Sequence, residues 1–379
     1  MDFTLTEEQQ MIRHASHEFA QNELLPGVIE RDEKQHFPSE QIKKLGELGF
    51  MGIMVKPENG GAGMDTLSYV LAIEEIAKID ASTAVCMSVN NSLVCWGLEE
   101  YGNEEQKKKY LVPLAKGEII GAFLLSEPEA GSDATSQHTI AEDKGDYYLV
   151  NGTKNWITNG NSASVYLVMA QTHPEKKSHG INTLIIEKSW SGVTVGPKEN
   201  KMGIRGSDTH SILFQDVKVP KRNRIGEDGL GFKFAMRTLD GGRIGIAAQA
   251  LGIAQGAYER SLQYAKERKA FGKEISYLQA IQFKLADMAT RIEAARLLVW
   301  KAAWEKDHEM DYTQSAATAK LYASETAMWV TTEAVQIHGG YGYVKEYHVE
   351  RMMRDAKITQ IYEGTSEIQR VVISRSVLK

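Results

Sequence analysis

Tyr147-Tyr148-Leu149-Val150-Asn151-Gly152-Thr153-Lys154-Asn155-Trp156-Ile157-Thr158 is the stretch where the chain changes character. Aromatic and β-branched residues dominate it, as pleated, half-buried strands require. Asn151-Gly152 accepts the positive φ angles of a two-residue turn, so the stretch predicts a β-hairpin. Further strands are expected at Val165–Ala170, Thr183–Ile186, Val193–Val195 and Ser211–Val219, bounded by Gly or Pro. Short strands at this spacing predict a small sandwich or barrel.

On either side of this block the apolar period is helical. On the N-terminal side, Thr6 followed by Gln9 reads as a capping box ahead of Ile12, Ala15 and Phe19. Pro38-Ser39 opens a helix with Ile42, Leu45 and Leu48 on one face, and Glu58–Gly63 is a loop. Leu67, Val70, Leu71 and Glu74 mark another helix. Ala81–Leu98 carries no charge, which suits a buried helix or a pocket wall. On the C-terminal side, Gly226–Gly231 is a linker turn rather than a phosphate fingerprint. Beyond it, Leu285, Met288, Ile292, Ala295 and Val299 share one face of a long helix, and Thr313–Ile337 is a second. The expected architecture is therefore α+β and multidomain: a helical unit over 1–118, a β unit over 119–228 and a four-helix bundle over 229–379.

Composition narrows the function. The 379 residues exceed what one core usually serves, and 42% apolar with 25% charged is ordinary for a folded soluble chain. A net charge of −6 argues against phosphate-backbone binding as the main task. Cys86 and Cys95 form no CxxC pair and read as reduced core thiols, which fits a reducing compartment. The polar N-terminus does not read as a signal peptide, and no apolar run approaches the roughly 18 residues of a membrane span. A bacterial cytoplasmic protein, or a processed mitochondrial-matrix one, is expected. No Rossmann fingerprint, P-loop or HExxH helix occurs, so any nucleotide cofactor is held in another way.

Three strings stand out together. Leu124-Leu125-Ser126-Glu127-Pro128-Glu129-Ala130-Gly131-Ser132-Asp133 is, by itself, either a surface turn or a small-residue loop that lets a planar ring approach. Asn155-Trp156-Ile157-Thr158-Asn159-Gly160 offers a Trp that is either core or a wall against an aromatic group. Ile361-Tyr362-Glu363-Gly364-Thr365-Ser366-Glu367-Ile368-Gln369 holds a Glu that is either a solvated loop residue or a base, and Thr365 or Ser366 suits a helix cap beside an anion.

In this order and separation, with Arg268-Lys269-Ala270-Phe271-Gly272 and Gln336-Ile337-His338-Gly339-Gly340-Tyr341-Gly342, the strings resemble the acyl-CoA dehydrogenase family over essentially the whole chain. Leu239-Asp240-Gly241-Gly242-Arg243-Ile244 and the Glu363 string look most like its short-chain, butyryl-type branch. The resemblance implies a tightly bound FAD. Leu124, Leu125, Ser126 and Ser132 would line one side of the flavin, and Trp156, Ile157 and Thr158 the other. Arg268, Phe271, Gln279, Gln336, Ile337, His338, Gly339 and Gly340 would reach the cofactor of a neighbouring subunit, with Thr365, Ser366 and Glu367 at the near side of its diphosphate. It thereby implies an obligate oligomer, typically a tetramer.

The resemblance further assigns substrate contacts to Asp240, Arg243, Ser132 and Gly364, and the role of base to Glu363. Ser126 stands where many relatives have Thr, and His338 where many have an aliphatic or aromatic residue; no metal site is expected. The implied reaction removes an α-proton to Glu363 and a β-hydride to flavin N5, with the electrons passed on to an electron-transferring flavoprotein. The backbone N–H of Glu363 and a ribityl hydroxyl would stabilise the thioester oxygen. A free Glu has a pKa of about 4.3, and burial against an acyl chain should raise it. Two rivals remain at this stage. One is a dehydrogenase of the same fold for branched, cyclic or dicarboxylic acyl-CoA, although Ala81–Leu93 lacks the Arg, near Ala84, that a glutaryl tail would want. The other is a nucleic-acid-binding member of the fold with little turnover.

Overall fold

The computed structural model describes residues 4–379. Thr6 caps the first helix, Glu7–Phe19, in a reciprocal box: its side chain accepts from Gln9 N–H, and Gln9 Oε1 accepts from Thr6 N–H. Ile42 and Leu45 are buried on the Ser39–Glu47 helix, but Leu48 lies just past its end and is exposed, contrary to the expectation from spacing. The uncharged stretch after Asp80 is buried except at Trp96, which is half-buried. It runs from the Ala81–Ser88 helix through a π-helical segment, Val89–Cys95, into the Trp96–Tyr101 helix. Both cysteines are buried and free.

The middle of the chain is one eight-stranded sheet: β1 (Gly121–Leu124), β2 (Ile140–Asp143), β3 (Tyr147–Thr158), β4 (Val165–Gln171), β5 (Ile181–Glu187), β6 (Val193–Lys198), β7 (Thr209–Pro220) and β8 (Arg224–Ile225). The order is β6-β7-β3-β2-β4-β5-β8, with β1 parallel to β4. β4 is buried along its whole length, as expected of a strand covered on both faces.

The hairpin expected at Asn151-Gly152 is not formed. Tyr147–Thr158 is a single strand, and the register against β7 steps from Val150↔Val217 to Gly152↔Phe214. That step leaves Asp216 in a positive-φ bulge at +53°, and the Asn151 side chain accepts from Asp216 N–H at 2.8 Å. Gly152 is needed because a Cβ there would lie 2.5 Å from Thr139 Oγ1. Asn-Gly thus serves a bulge, which wants the same permissive backbone as a turn.

Three long helices follow: Gly231–Glu267, Gln279–Asp307 and Thr313–His338. They pack on one another, and Val349–Ile358 and Ser366–Val377 close against the third. Leu285, Met288, Ile292, Ala295 and Val299 all face inward, while Arg291 and Glu293 stay outside. The Thr66–Ala77 helix of the N-terminal unit lies along Gly231–Glu267, so the helical halves meet around that central rod.

Candidate active site

Glu363 sits in the loop between the last two helices with φ +52°, followed by Gly364 at +90°. A non-glycine residue in this region stores roughly 1–3 kcal/mol of strain and persists only where its surroundings hold it. Gln369 Nε2 donates to Glu363 O at 3.1 Å and to Gly364 O at 2.8 Å. Lys320 Nζ donates to Gly364 O at 2.7 Å. The Glu363 N–H donates to no acceptor among the described residues.

The residue as a whole is half-buried, yet its Oε2 is shut off from solvent and has no hydrogen-bond partner. A Cβ added at Gly242 of the central helix would lie 2.0 Å from that oxygen and 2.7 Å from Leu93 Cδ2. The carboxylate is therefore wedged against bare helix backbone, beside an apolar side chain from the π-helical turn. Burial pushes its pKa up to about 7, against the pull of Lys320 and Arg243. Arg243 pairs with Asp240, which also accepts from Thr313 Oγ1 at 3.1 Å. Both members of that pair are buried. The Arg243 Nε has no partner. Tyr362 OH donates to Gln249 Oε1 alongside. Thr365 caps the Ser366–Val377 helix, leaving Ser366 Oγ and Gln369 Oε1 buried without partners, while Glu367 is exposed.

A second cluster lies on the β unit. Asn155 N–H donates to Ser126 O at 2.9 Å, which joins the Leu124–Ser132 loop to the end of β3. Trp156 stands in a bulge at φ +61° with 61% of its surface exposed, Ile157 points into the core, and Thr158 is half-buried. Leu124 is buried, Leu125 and Ser126 are half-buried, and Ser132 is exposed beside Gly131, where an added Cβ would meet nothing within 4 Å.

Beneath the loop is a group that spacing did not flag. Lys154, fully buried, donates to Leu125 O at 3.1 Å, Glu127 Oε1 at 2.8 Å and Gln137 Oε1 at 3.0 Å. Glu127 also accepts from the N–H groups of His138 and Thr139. Lys154→Met would strand a buried carboxylate and is expected to cost roughly 3–5 kcal/mol of stability, read by urea unfolding. A loss under about 1 kcal/mol would show the pair to be incidental.

A third cluster lies elsewhere. Tyr264, Arg268, Ile275, Ile337, His338, Gly339, Gly340 and Tyr341 line a groove of about 560 Å³. His338 is stacked on Tyr264 with centroids 4.3 Å apart, and its Nδ1 faces Ala334 O. It meets no other metal-ligand type, and among the described residues no group suited to a metal ion occurs. Phe271 is 92% exposed at the tip of the small hairpin of Lys269–Ala270 and Lys273–Glu274. Gln279 and Gln336 are exposed. From Gly242 to Arg268 the central helix rises about 39 Å at 1.5 Å per residue. One chain therefore does not bring its own Glu363 and its own groove together on a single dinucleotide.

The chain resembles known proteins over essentially its whole length. Residues 6–118 match the model described as acyl-CoA dehydrogenase, N-terminal domain; 122–217 match the middle domain, and 229–378 the C-terminal domain. The chain is 52% identical to a short-chain specific acyl-CoA dehydrogenase of Clostridium acetobutylicum, with 100% of each covered. It superposes on the butyryl-CoA dehydrogenase of Megasphaera elsdenii with a TM-score of 0.99 at 51% identity, covering 100% of both chains. A chain solved in work on the electron transferring flavoprotein of Acidaminococcus fermentans and flavin-based electron bifurcation matches equally, with a TM-score of 0.99, 52% identity and 100% coverage of both.

Proposed function

The chain belongs to the acyl-CoA dehydrogenase family, and from that premise we propose that it converts a short-chain acyl-CoA to the trans-2-enoyl-CoA, with Glu363 as the base. The observation that carries this reading is the buried, unpartnered Glu363 Oε2 wedged at Gly242. A carboxylate kept dry and poised near neutrality is a better base than one in water.

FAD is the cofactor, and when bound it supplies the acceptor for the β-hydride, which no side chain can take. The chain fits such a group. Gly339, Gly340, Gly272 and Gly131 leave open space where a Cβ would stand, Trp156 exposes its ring, and Ser366 Oγ awaits a partner at a helix start. Leu124, Leu125, Ser126, Ser132, Trp156, Ile157 and Thr158 would hold the ring, and Thr365, Ser366 and Glu367 the near side of the diphosphate. Arg268, Phe271, Gln279 and Gln336–Gly340 would serve a neighbouring subunit's cofactor, a reading that the length of the central helix supports, in an oligomer we take to be a tetramer.

Within the site, Glu363 removes the α-proton, and its free N–H is placed to donate to the thioester oxygen as charge develops there. Gly364 lies beside the thioester. Asp240 and Arg243 face the CoA portion as a neutralised pair, with Ser132 near the same group. The Ala81–Ser88 helix brings no cation to the pocket, which favours an uncharged acyl tail over a dicarboxylic one. Electrons pass to an electron-transferring flavoprotein. The enzyme works in the bacterial cytoplasm, or in the mitochondrial matrix if it is a processed form; no helix among the described residues is long and apolar enough to cross a membrane.

Steady-state rates with butyryl-, octanoyl-, isobutyryl-, glutaryl- and cyclohexanecarbonyl-CoA test the substrate class, with butyryl-CoA expected to lead. A preference for glutaryl-CoA would overturn it. The pH profile is a separate test. Because the base works ionised and titrates at about 7, kcat/KM should fall as pH drops through that value. A limb near the ordinary Glu pKa of about 4.3 would mean that the carboxylate is solvated.

A further inference from the structure

Lys320 is fully buried on the Thr313–His338 helix, flanked by Ala316, Ala317, Ala319 and Ala323. Nothing in the reaction calls for a second ionisable group there, and Lys is almost never fully buried without a partner. Its one hydrogen bond goes to Gly364 O at 2.7 Å, the carbonyl that also takes Gln369 Nε2. The Glu363-Gly364 peptide, with both φ angles positive, is thus gripped from two helices. We propose that Lys320 is a positioning residue for the base, clamping the strained Glu363-Gly364 peptide while its charge holds the Glu363 carboxylate ionised in the dry pocket.

The surroundings leave Lys320 as the main free positive charge on Glu363. Arg243, from the central helix, is neutralised by Asp240. Tyr69, from the Thr66–Ala77 helix, and Tyr362, from the loop itself, are kept neutral by burial. Glu367, in the first turn of the last helix, is solvated. Burial depresses Lys320 to about 7, and Glu363 opposes that fall. Each group thus opposes the loss of charge that burial imposes on the other.

The inference rests on Glu363 being the base, so its tests are chosen to separate the two ideas. In the flavin-loaded enzyme, Lys320→Met is expected to retain flavin, to lower kcat about 10²-fold by misplacing the base, and to leave KM within a few fold. The acid limb of kcat/KM should move up by about one pH unit or more, because an opposite charge has been removed. Lys320→Arg keeps the charge and should keep the limb. A residue that only supports the fold would lower activity without moving the limb.

Melting temperatures give a second readout that needs no turnover. Lys320→Met should lower Tm in the wild-type background and lower it less, or raise it, in Glu363→Gln, where the lysine has lost its anion. Lys320→Gln takes the same tests if the Met variant does not fold. An unmoved limb, or equal Tm losses in both backgrounds, would overturn the proposal. If the wild type fails to oxidise any acyl-CoA, the reading of Glu363 as base falls, while the Tm cycle still decides the pairing.

Discussion

Glu363→Gln is expected to retain its fold and its flavin and to lose turnover by about 10³-fold or more, within the range that a positioned general base supplies. The amide keeps the shape of the side chain, so it still fits against Gly242 and Leu93 and still projects from the same strained peptide. What it loses is the lone-pair basicity that burial has raised to about 7. Binding of butyryl-CoA should survive, since no contact to the thioester depends on the charge at Oε2. Removing the buried carboxylate relieves its desolvation but also takes the anion from Lys320, so the two effects oppose each other and the variant should melt near the wild type at neutral pH. The sign follows from the raised pKa: stability tied to this group is present below its unfolded value of 4.5 and is lost as pH rises through about 7. Full activity in the Gln variant, measured by single-turnover kinetics, would remove Glu363 from the role of base.

Gly242→Ala should come second in effect. Its new Cβ would sit 2.0 Å from Glu363 Oε2 and 2.9 Å from Cδ, a distance at which the carboxylate has to move. The helix itself gains, because Ala is about 1 kcal/mol better than Gly in a helix interior. The expected signature is a protein that is as stable as wild type, binds flavin, and is slower by about 10²-fold, since a misplacement of the order of 1 Å costs that much. Gly241→Ala is the control. Its added Cβ comes no nearer than 3.8 Å to Lys306 Nζ, and it should leave kcat within a few fold. Equal effects from the two glycines would argue that the helix, and not the base, had been disturbed.

The helical, β, helical order was legible because apolar period and strand-forming residues alternate cleanly along the chain. The sequence also placed Glu363 correctly in a loop just before a capped helix, and marked Trp156 as a side chain that either packs or faces a ligand. What it missed has physical causes. Asn151-Gly152 satisfies a turn and a bulge alike, and only the partner strand, with Asp216 needing an acceptor for its N–H, decides between them. Leu48 kept helical spacing one residue beyond the point where the helix stops. Lys154 and Lys320 were invisible because a lysine reads as solvated until its buried partners, distant in sequence, are brought to it. Gly242 did carry a signal. A Gly pair inside an otherwise strong helix breaks a local rule at a cost, and such a break marks a close approach that some other element needs.

The most direct test of a base facing a flavin is an anaerobic titration of the purified protein with butyryl-CoA, followed by the visible absorbance of the bound flavin. The wild type should be yellow and bleach in proportion to added thioester, whereas Glu363→Gln should bind it with a spectral shift and stay yellow. A colourless wild type that takes up no FAD, or a Gln variant that bleaches as the wild type does, would contradict it.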